Sequence, residues 1–235
     1  MNSILSKYRD ILDNFEDLEA GGYRREHGTE TGVLRLSGRA NPEEAPAQDL
    51  SSCSLEELAG LVRRCSACPL GSLRKNAVPG DGSSKPEVML IGEAPGGQED
   101  ESGKPFVGAA GKYLDKWLDA VHLSRDRNVF IANVIKCRPP GNRDPEESEM
   151  KSCFPYLLAQ IELLKPRAIL CLGRFAGRKI TGMETSLRNM REKVHYFQDI
   201  PVIVTYHPSA VLRNPELRRP VWDDLRRLSG LIGQG

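Results

Sequence analysis

Residues 88–114, VMLIGEAPGGQEDESGKPFVGAAGKYL, decide how the chain folds. The apolar run from Val88 to Ile91 stops at Gly92, gives way to a loop rich in Gly and Pro, and resumes near Gly108 with helical spacing. A short apolar run followed by a glycine turn and an amphipathic period is how a buried strand hands over to a helix that covers it. The loop carries Glu93, Glu99, Asp100 and Phe106, and its glycines let the backbone approach a flat ligand closely and present N–H groups to it. The spacing is neither G-x-G-x-x-G nor G-x-x-x-x-G-K-[ST], so dinucleotides and nucleoside triphosphates lose their main support. Three carboxylates in one loop would also repel a polyphosphate.

Outward from this segment the same alternation recurs. Apolar runs at Val129–Val134, Ala168–Leu172 and Val202–Thr205 read as strands. Helical patterns cover about 54–65, 110–120, 146–164, 174–180 and 217–229, the first opened by Ser54 and Glu57 in capping-box spacing. This predicts a three-layer α/β fold, a mostly parallel sheet with helices on both faces. Gly92, Glu93, Asn133, Gly173 and His207 all fall at or just past the C-terminal ends of strands, where open α/β sheets bind ligands.

Before this body lies a different kind of sequence. Ile4, Leu5, Tyr8, Ile11, Leu12, Phe15 and Leu18 recur at helical spacing, and a charged Gly/Pro-rich stretch follows up to a boundary near Asp49. We therefore expect an N-terminal helix and flexible linker over residues 1–50 and one domain over 51–235. The formal net charge of +1 averages the two: 6 basic and 10 acidic side chains in residues 1–50 (−4), 27 and 22 in the remainder (+5). A mildly basic body is compatible with a polyanionic partner that the whole-chain value conceals. No apolar run approaches the roughly 18 residues needed to span a bilayer, and the N-terminus lacks the apolar core of a secretory signal. A cytoplasmic protein is expected, and its six cysteines should be metal ligands or buried thiols rather than disulfides.

Four of those cysteines pair up. Cys65 and Cys68 form a C-x2-C ahead of Pro69; Cys137 leaves a strand and Cys153 sits inside a helix. Such a set can hold a tetrahedral zinc or an iron-sulfur cluster, since both select thiolates. Cys171, inside AILCLG, reads as a core thiol, and Cys53 stands at the linker edge. Near the C-terminus, YHPSAVLRNPELRRPVW places His207 just after a strand, ahead of Ser209, Val211, Leu212 and Arg213. Apolar side chains flanked by phosphate-binding groups are what a protein needs to wedge into a base step and unstack it.

The segments GEAPGGQED, GKPFVGAAG, IANVIKCRPPGNRDP and HPSAVLRNPELRRPVWDDL, in this order and with these cysteines, resemble the family 4 uracil-DNA glycosylases over about residues 55–229. The resemblance implies a hydrolase that flips uracil out of single- or double-stranded DNA and cleaves its N-glycosidic bond, leaving an abasic site. It implies a structural 4Fe-4S cluster on Cys65, Cys68, Cys137 and Cys153, and uracil bound by Gly92, Glu93, Glu99, Phe106, Asn133 and His207. Phe106 would stack on the base, Asn133 would read N3–H and O4, and Glu99 would stand beside C5 and disfavour a thymine methyl. His207 would donate to O2, and Glu93 would position water or stabilise the sugar cation. Ser209, Val211, Leu212 and Arg213 would contact DNA, with Val211, Leu212 and Arg213 as the inserted tip. Arg191-Glu192 departs from the Arg-Gly expected in relatives. A monomer is expected, without a membrane partner. A second reading, from another class, is a non-catalytic iron-sulfur module that binds DNA in replication or repair; a third is a zinc-thiolate scaffold.

Overall fold

The computed structural model describes residues 50–233; the expected N-terminal helix and the linker lie outside them. Helix α1 (Leu55–Arg64) starts at the anticipated capping box, in which Ser54 N–H donates to Glu57 Oε2 at 2.7 Å and Glu57 N–H returns a bond to Ser54 Oγ at 3.3 Å. After a single turn, α2 (Leu70–Leu73), come β1 (Asp81–Gly82), β2 (Val88–Gly92), α3 (Gly97–Ser102), α4 (Ala109–Ala120) and β3 (Val129–Asn133). The second half runs α5 (Glu147–Leu164), β4 (Ala168–Leu172), α6 (Arg174–Thr181), α7 (Leu187–Arg191), β5 (His195–Phe197), β6 (Ile200–Thr205), α8 (Pro208–Arg213) and α9 (Arg218–Leu231).

The sheet order is β1-β3-β2-β4-β6-β5. The inner four strands are parallel, and the two edge strands are antiparallel to their neighbours. Every residue of β2, β3 and β4 is buried, the signature of a sheet covered on both faces. Alternation along the strands divides the layers. Val88 and Leu90, Val129 and Ile131, Leu170 and Leu172, and Ile203 share one core with Leu114, Trp117 and Leu118 of α4 and Val221, Leu225 and Leu228 of α9. On the other face α6 and α7 pack against β4 and β6, and α1 packs on α5.

The anticipated strands and long helices are present, and the short elements β1, β5, α2, α3, α7 and α8 go beyond them. β1 and β5 have two and three residues, too short for any period to register. α3 and α8 occupy segments read as loops, because six residues do not complete two helical turns. Among the described residues no helix is long and apolar enough to cross a membrane.

Candidate active site

The carboxyl ends of the parallel strands open into one pocket lined by Glu93, Phe106, Asn133, Gly173, His207 and Arg213 among others. The chain leaves β2 for β3 on one side and β4 for β6 on the other, so the strand order reverses between β2 and β4, and residues from the loops after β2, β3, β4 and β6 line the crevice. Gly173, at φ +99°, gives the backbone room beside His207, where a Cβ would come within 3.4 Å of the His207 Cβ. At Gly92 a Cβ would collide with the Asn133 amide oxygen and stand 2.7 Å from the Phe106 ring, so only glycine lets these two side chains meet.

Asn133 ends β3 fully buried, and its Oδ1 has no hydrogen-bond partner. A buried amide oxygen left unpaired costs about 1 to 3 kcal/mol, so this atom awaits a donor. Behind it, its main-chain carbonyl accepts from Lys136 Nζ at 2.9 Å.

Phe106 adopts φ +53°, a conformation non-glycine residues rarely hold and one that costs about 1 to 3 kcal/mol. The surroundings force it. Arg125 donates from its two terminal nitrogens to the Pro105 and Phe106 carbonyls at 2.8 and 2.7 Å, and from Nε to Asp115 at 2.7 Å. Gly111 packs its Cα against the Phe106 carbonyl, leaving no space for a Cβ. The ring that results lies 5.5 Å from the His207 imidazole, centroid to centroid.

His207 caps α8. Its Nδ1 accepts from Ser209 N–H at 3.2 Å and lies 2.8 Å from Ser209 Oγ. Because the backbone N–H can only donate, Nδ1 is the acceptor and Nε2 bears the proton. Burial, helped by the Arg213 charge and opposed by Glu99, holds the imidazole pKa down to about 4. His207 is thus a neutral Nε2–H donor at physiological pH, a point the sequence left open.

The three carboxylates singled out in the glycine-rich loop diverge. Glu99 borders the pocket, but its oxygens accept from the N–H groups of Gly96, Val107 and Gly108 at 3.2, 2.9 and 3.1 Å. It closes the loop on itself. Asp100 is buried the other way and accepts from Lys75 N–H at 3.0 Å and Asn76 N–H at 3.3 Å. Glu93 lines the pocket, and burial, reinforced by Asp144 and opposed by Arg174, pushes its carboxyl up to about 7.

The expected DNA-contacting tip divides as well. Leu212 is 46% exposed and Arg213 is exposed, as a wedge requires, whereas Val211 is wholly buried in the core beneath them. Val211 is therefore not an inserted residue: α8 turns its fourth position inward to seal the α4 side of the core. Ser209 gives its N–H and hydroxyl to His207 instead of standing clear for a phosphate.

Arg191 points inward. Its Nε donates to Asp224 Oδ2 at 2.7 Å, its NH2 group to the Pro220 carbonyl at 2.7 Å, and its guanidinium covers the Tyr206 ring at 4.5 Å. Asp224 Oδ2 also accepts from Thr205 Oγ1 at 2.7 Å. This network braces the end of β6 directly before His207. Arg125, Lys136, Arg174 and Asp224 all support the site and none carries a motif of its own in the sequence.

Cys65, Cys68, Cys137 and Cys153 border one small hollow on the β3 side of the molecule. Arg74 donates to Cys137 Sγ at 3.0 Å, Lys136 N–H to Cys153 Sγ at 3.2 Å and Ala67 N–H to Cys65 Sγ at 3.5 Å, contacts that favour thiolates. Among the described residues no three His, Cys, Asp or Glu side chains stand close enough to share a single ion. Burial pushes the bare Cys153 thiol up to about 12, so a metal's charge is needed to ionise it. Cys171 is a buried core thiol, as its sequence context implied.

Residues 79–226 match the model of the uracil DNA glycosylase superfamily. A type-4 uracil-DNA glycosylase of Saccharolobus solfataricus is 47% identical over 184 residues, covering 74% of this chain and 85% of that protein. Type-4 uracil-DNA glycosylases of Pyrobaculum aerophilum and Thermotoga maritima are 44% and 40% identical, covering 75% and 76% of this chain and 93% and 94% of those proteins.

Proposed function

The chain belongs to the type-4 class of the uracil DNA glycosylase superfamily, and on that premise we propose that it is a DNA repair hydrolase that excises uracil. The observation that carries the reading is the buried, unpartnered Oδ1 of Asn133 in a pocket walled by Phe106 and His207. Uracil offers N3–H to that oxygen and O4 to the amide Nδ2; cytosine offers neither, having an acceptor at N3 and an amino group at C4.

The chemistry follows from the same groups. Extrusion of the nucleotide costs a few kcal/mol, least where the base is mispaired or single-stranded. Leu212 fills the vacated step and Arg213 pairs with backbone phosphate. Phe106 stacks on the base, a contact worth about 1 to 3 kcal/mol. Negative charge collects toward O2 as the bond from N1 to C1′ breaks, and His207 Nε2–H donates to it. A neutral donor already in place stabilises that charge without surrendering its proton. Glu93 accepts a proton from the water that adds to C1′, and its carboxylate offsets the positive charge on the sugar; a pKa near 7 suits a base at neutral pH. Glu99 acts indirectly here, fixing the loop that holds Glu93 and Phe106.

The four thiols would hold a 4Fe-4S cluster, whose part is structural. A hollow ringed by spaced thiols suits a polynuclear centre better than a single zinc, whose sulfurs must all lie about 2.3 Å from one point. The site is assembled from one chain, which supports a functional monomer, and ionised thiolates favour a reducing compartment, the cytoplasm.

The test is release of free uracil from single- and double-stranded oligonucleotides by a brown, iron-loaded sample. Conversion to abasic product is expected. An unchanged substrate with stoichiometric retention of the DNA would mean a binding module, and a colourless sample with zinc would mean a thiolate scaffold.

A further inference from the structure

Among the described residues Lys136 is one of the largest fully buried side chains, and it forms no ion pair with a carboxylate. Its ammonium donates to two neutral acceptors, the Asn133 carbonyl at 2.9 Å and Gln160 Oε1 at 2.6 Å. Gln160 is held in turn, its Nε2 donating to the Pro79 carbonyl at 2.7 Å. Taking an unpaired ammonium out of water costs several kcal/mol, so a buried lysine needs a counter-charge. Lys136 gives its main-chain N–H to Cys153 Sγ at 3.2 Å, directly precedes Cys137 in the chain, and itself borders the hollow that the four thiols share. Four thiolates around four irons and four sulfides retain a net negative charge, which a nearby buried cation offsets.

We propose that Lys136 is a positioning residue that couples the cysteine cage to base recognition: the ammonium that balances the thiolates is the one that fixes the main chain of Asn133. This rests on the uracil-excision reading and on a cluster in the cage. When the cage is filled, the ammonium is stabilised in place and Asn133 presents its amide squarely; when the cage is empty, the buried cation loses its counter-charge and that support weakens. Coupling of this kind is reciprocal, so a base bound at Asn133 must also stabilise the cage.

Two measurements test it. The first follows iron loss to a chelator by the fading of the visible absorbance, using the unaltered protein. Saturating free uracil should slow iron loss about threefold or more, while cytosine should leave it unchanged. Equal rates with and without uracil would overturn the coupling. The second compares Lys136→Met with Gln160→Met, which removes an acceptor but keeps the charge. Lys136→Met should lose iron about tenfold faster, and molecules that still hold full iron should show KM for a uracil oligonucleotide raised about tenfold with kcat changed less. Gln160→Met should retain iron within about twofold of the parent. Equal iron loss in both variants would assign the effect to packing and overturn the proposal. Iron content and uracil release by the parent report separately on the underlying reading, so its failure is distinguishable from failure of the coupling.

Discussion

The ends of β3 and β6 each present one residue to the pocket, Asn133 and His207, and each has a buried charge behind it, but the two charges are balanced differently. Behind His207, Asp224 is neutralised within the polypeptide: Arg191 and Thr205 donate to one carboxylate oxygen, and Arg227 lies 3.6 Å from the other. Behind Asn133, Lys136 meets only neutral acceptors and the thiols of the cage. The β6 half therefore has its charge balanced by the polypeptide when the chain has folded. The β3 half is conditional on what the cysteines hold.

This contrast can be broken or sharpened at four levels. The largest effect should come from the presented residues. Asn133→Asp exchanges an amide donor for an acceptor-only carboxylate and should lower single-turnover uracil release about 10³-fold, because O4 is left without its partner. His207→Ala should cost about 10² to 10³-fold in the same assay while oligonucleotide binding changes little, since its bond strengthens as charge develops. A His207→Ala protein with the parent rate would show that the β6 half does not serve the leaving group.

Next, Asp224→Asn should destabilise the protein by about 2 to 3 kcal/mol in urea unfolding, less than a wholly buried pair because Arg191 keeps some solvent contact. Iron retention should stay as in the parent. Loss of iron from this variant would erase the distinction between the halves.

The third level is pH. Glu93 must be ionised to accept a proton, so the single-turnover rate should rise about tenfold per unit below pH 7 and level off above it, and Glu93→Gln should abolish that limb along with most of the activity. His207 contributes no limb near neutrality. Its folded pKa of about 4 lies below the ordinary 6.5, so the unfolded chain takes up that proton first as pH falls. The associated stability is intact above pH 6.5 and is lost between 6.5 and 4, measurable as a falling urea midpoint that His207→Ala flattens.

The smallest effect belongs to the wedge. Leu212→Ala should slow uracil release from duplex about three- to tenfold and from single strands hardly at all, because only the duplex must be unstacked. Equal slowing on both substrates would take insertion away from α8.

The strand, glycine loop and helix of residues 88–114 were legible because buried strands and covering helices leave different periods in the sequence, and these strands have five residues with no polar interruption. The pairing of Cys65 and Cys68 with Cys137 and Cys153 was legible as spacing. Orientation within short segments was not. Val211 and Leu212 are adjacent and alike in chemistry, yet one is core and the other is exposed, since the rotation of a six-residue helix about its axis decides which side faces α4. Glu99 looked like a ligand-facing carboxylate and instead gathers three backbone N–H groups.

By itself, then, the sequence determined the layered α/β architecture, the cysteine set and the residues that meet at the carboxyl edge of the sheet, because period and motif spacing are local properties of the chain. Only the tertiary structure decided which charges are buried and what balances them. Arg125 reaches Phe106 across 19 residues, Lys136 reaches Gln160 across 24 and Arg191 reaches Asp224 across 33. Whether a charged side chain is solvated or becomes a brace depends on surfaces brought together from such distances, where desolvation makes each unmatched charge costly.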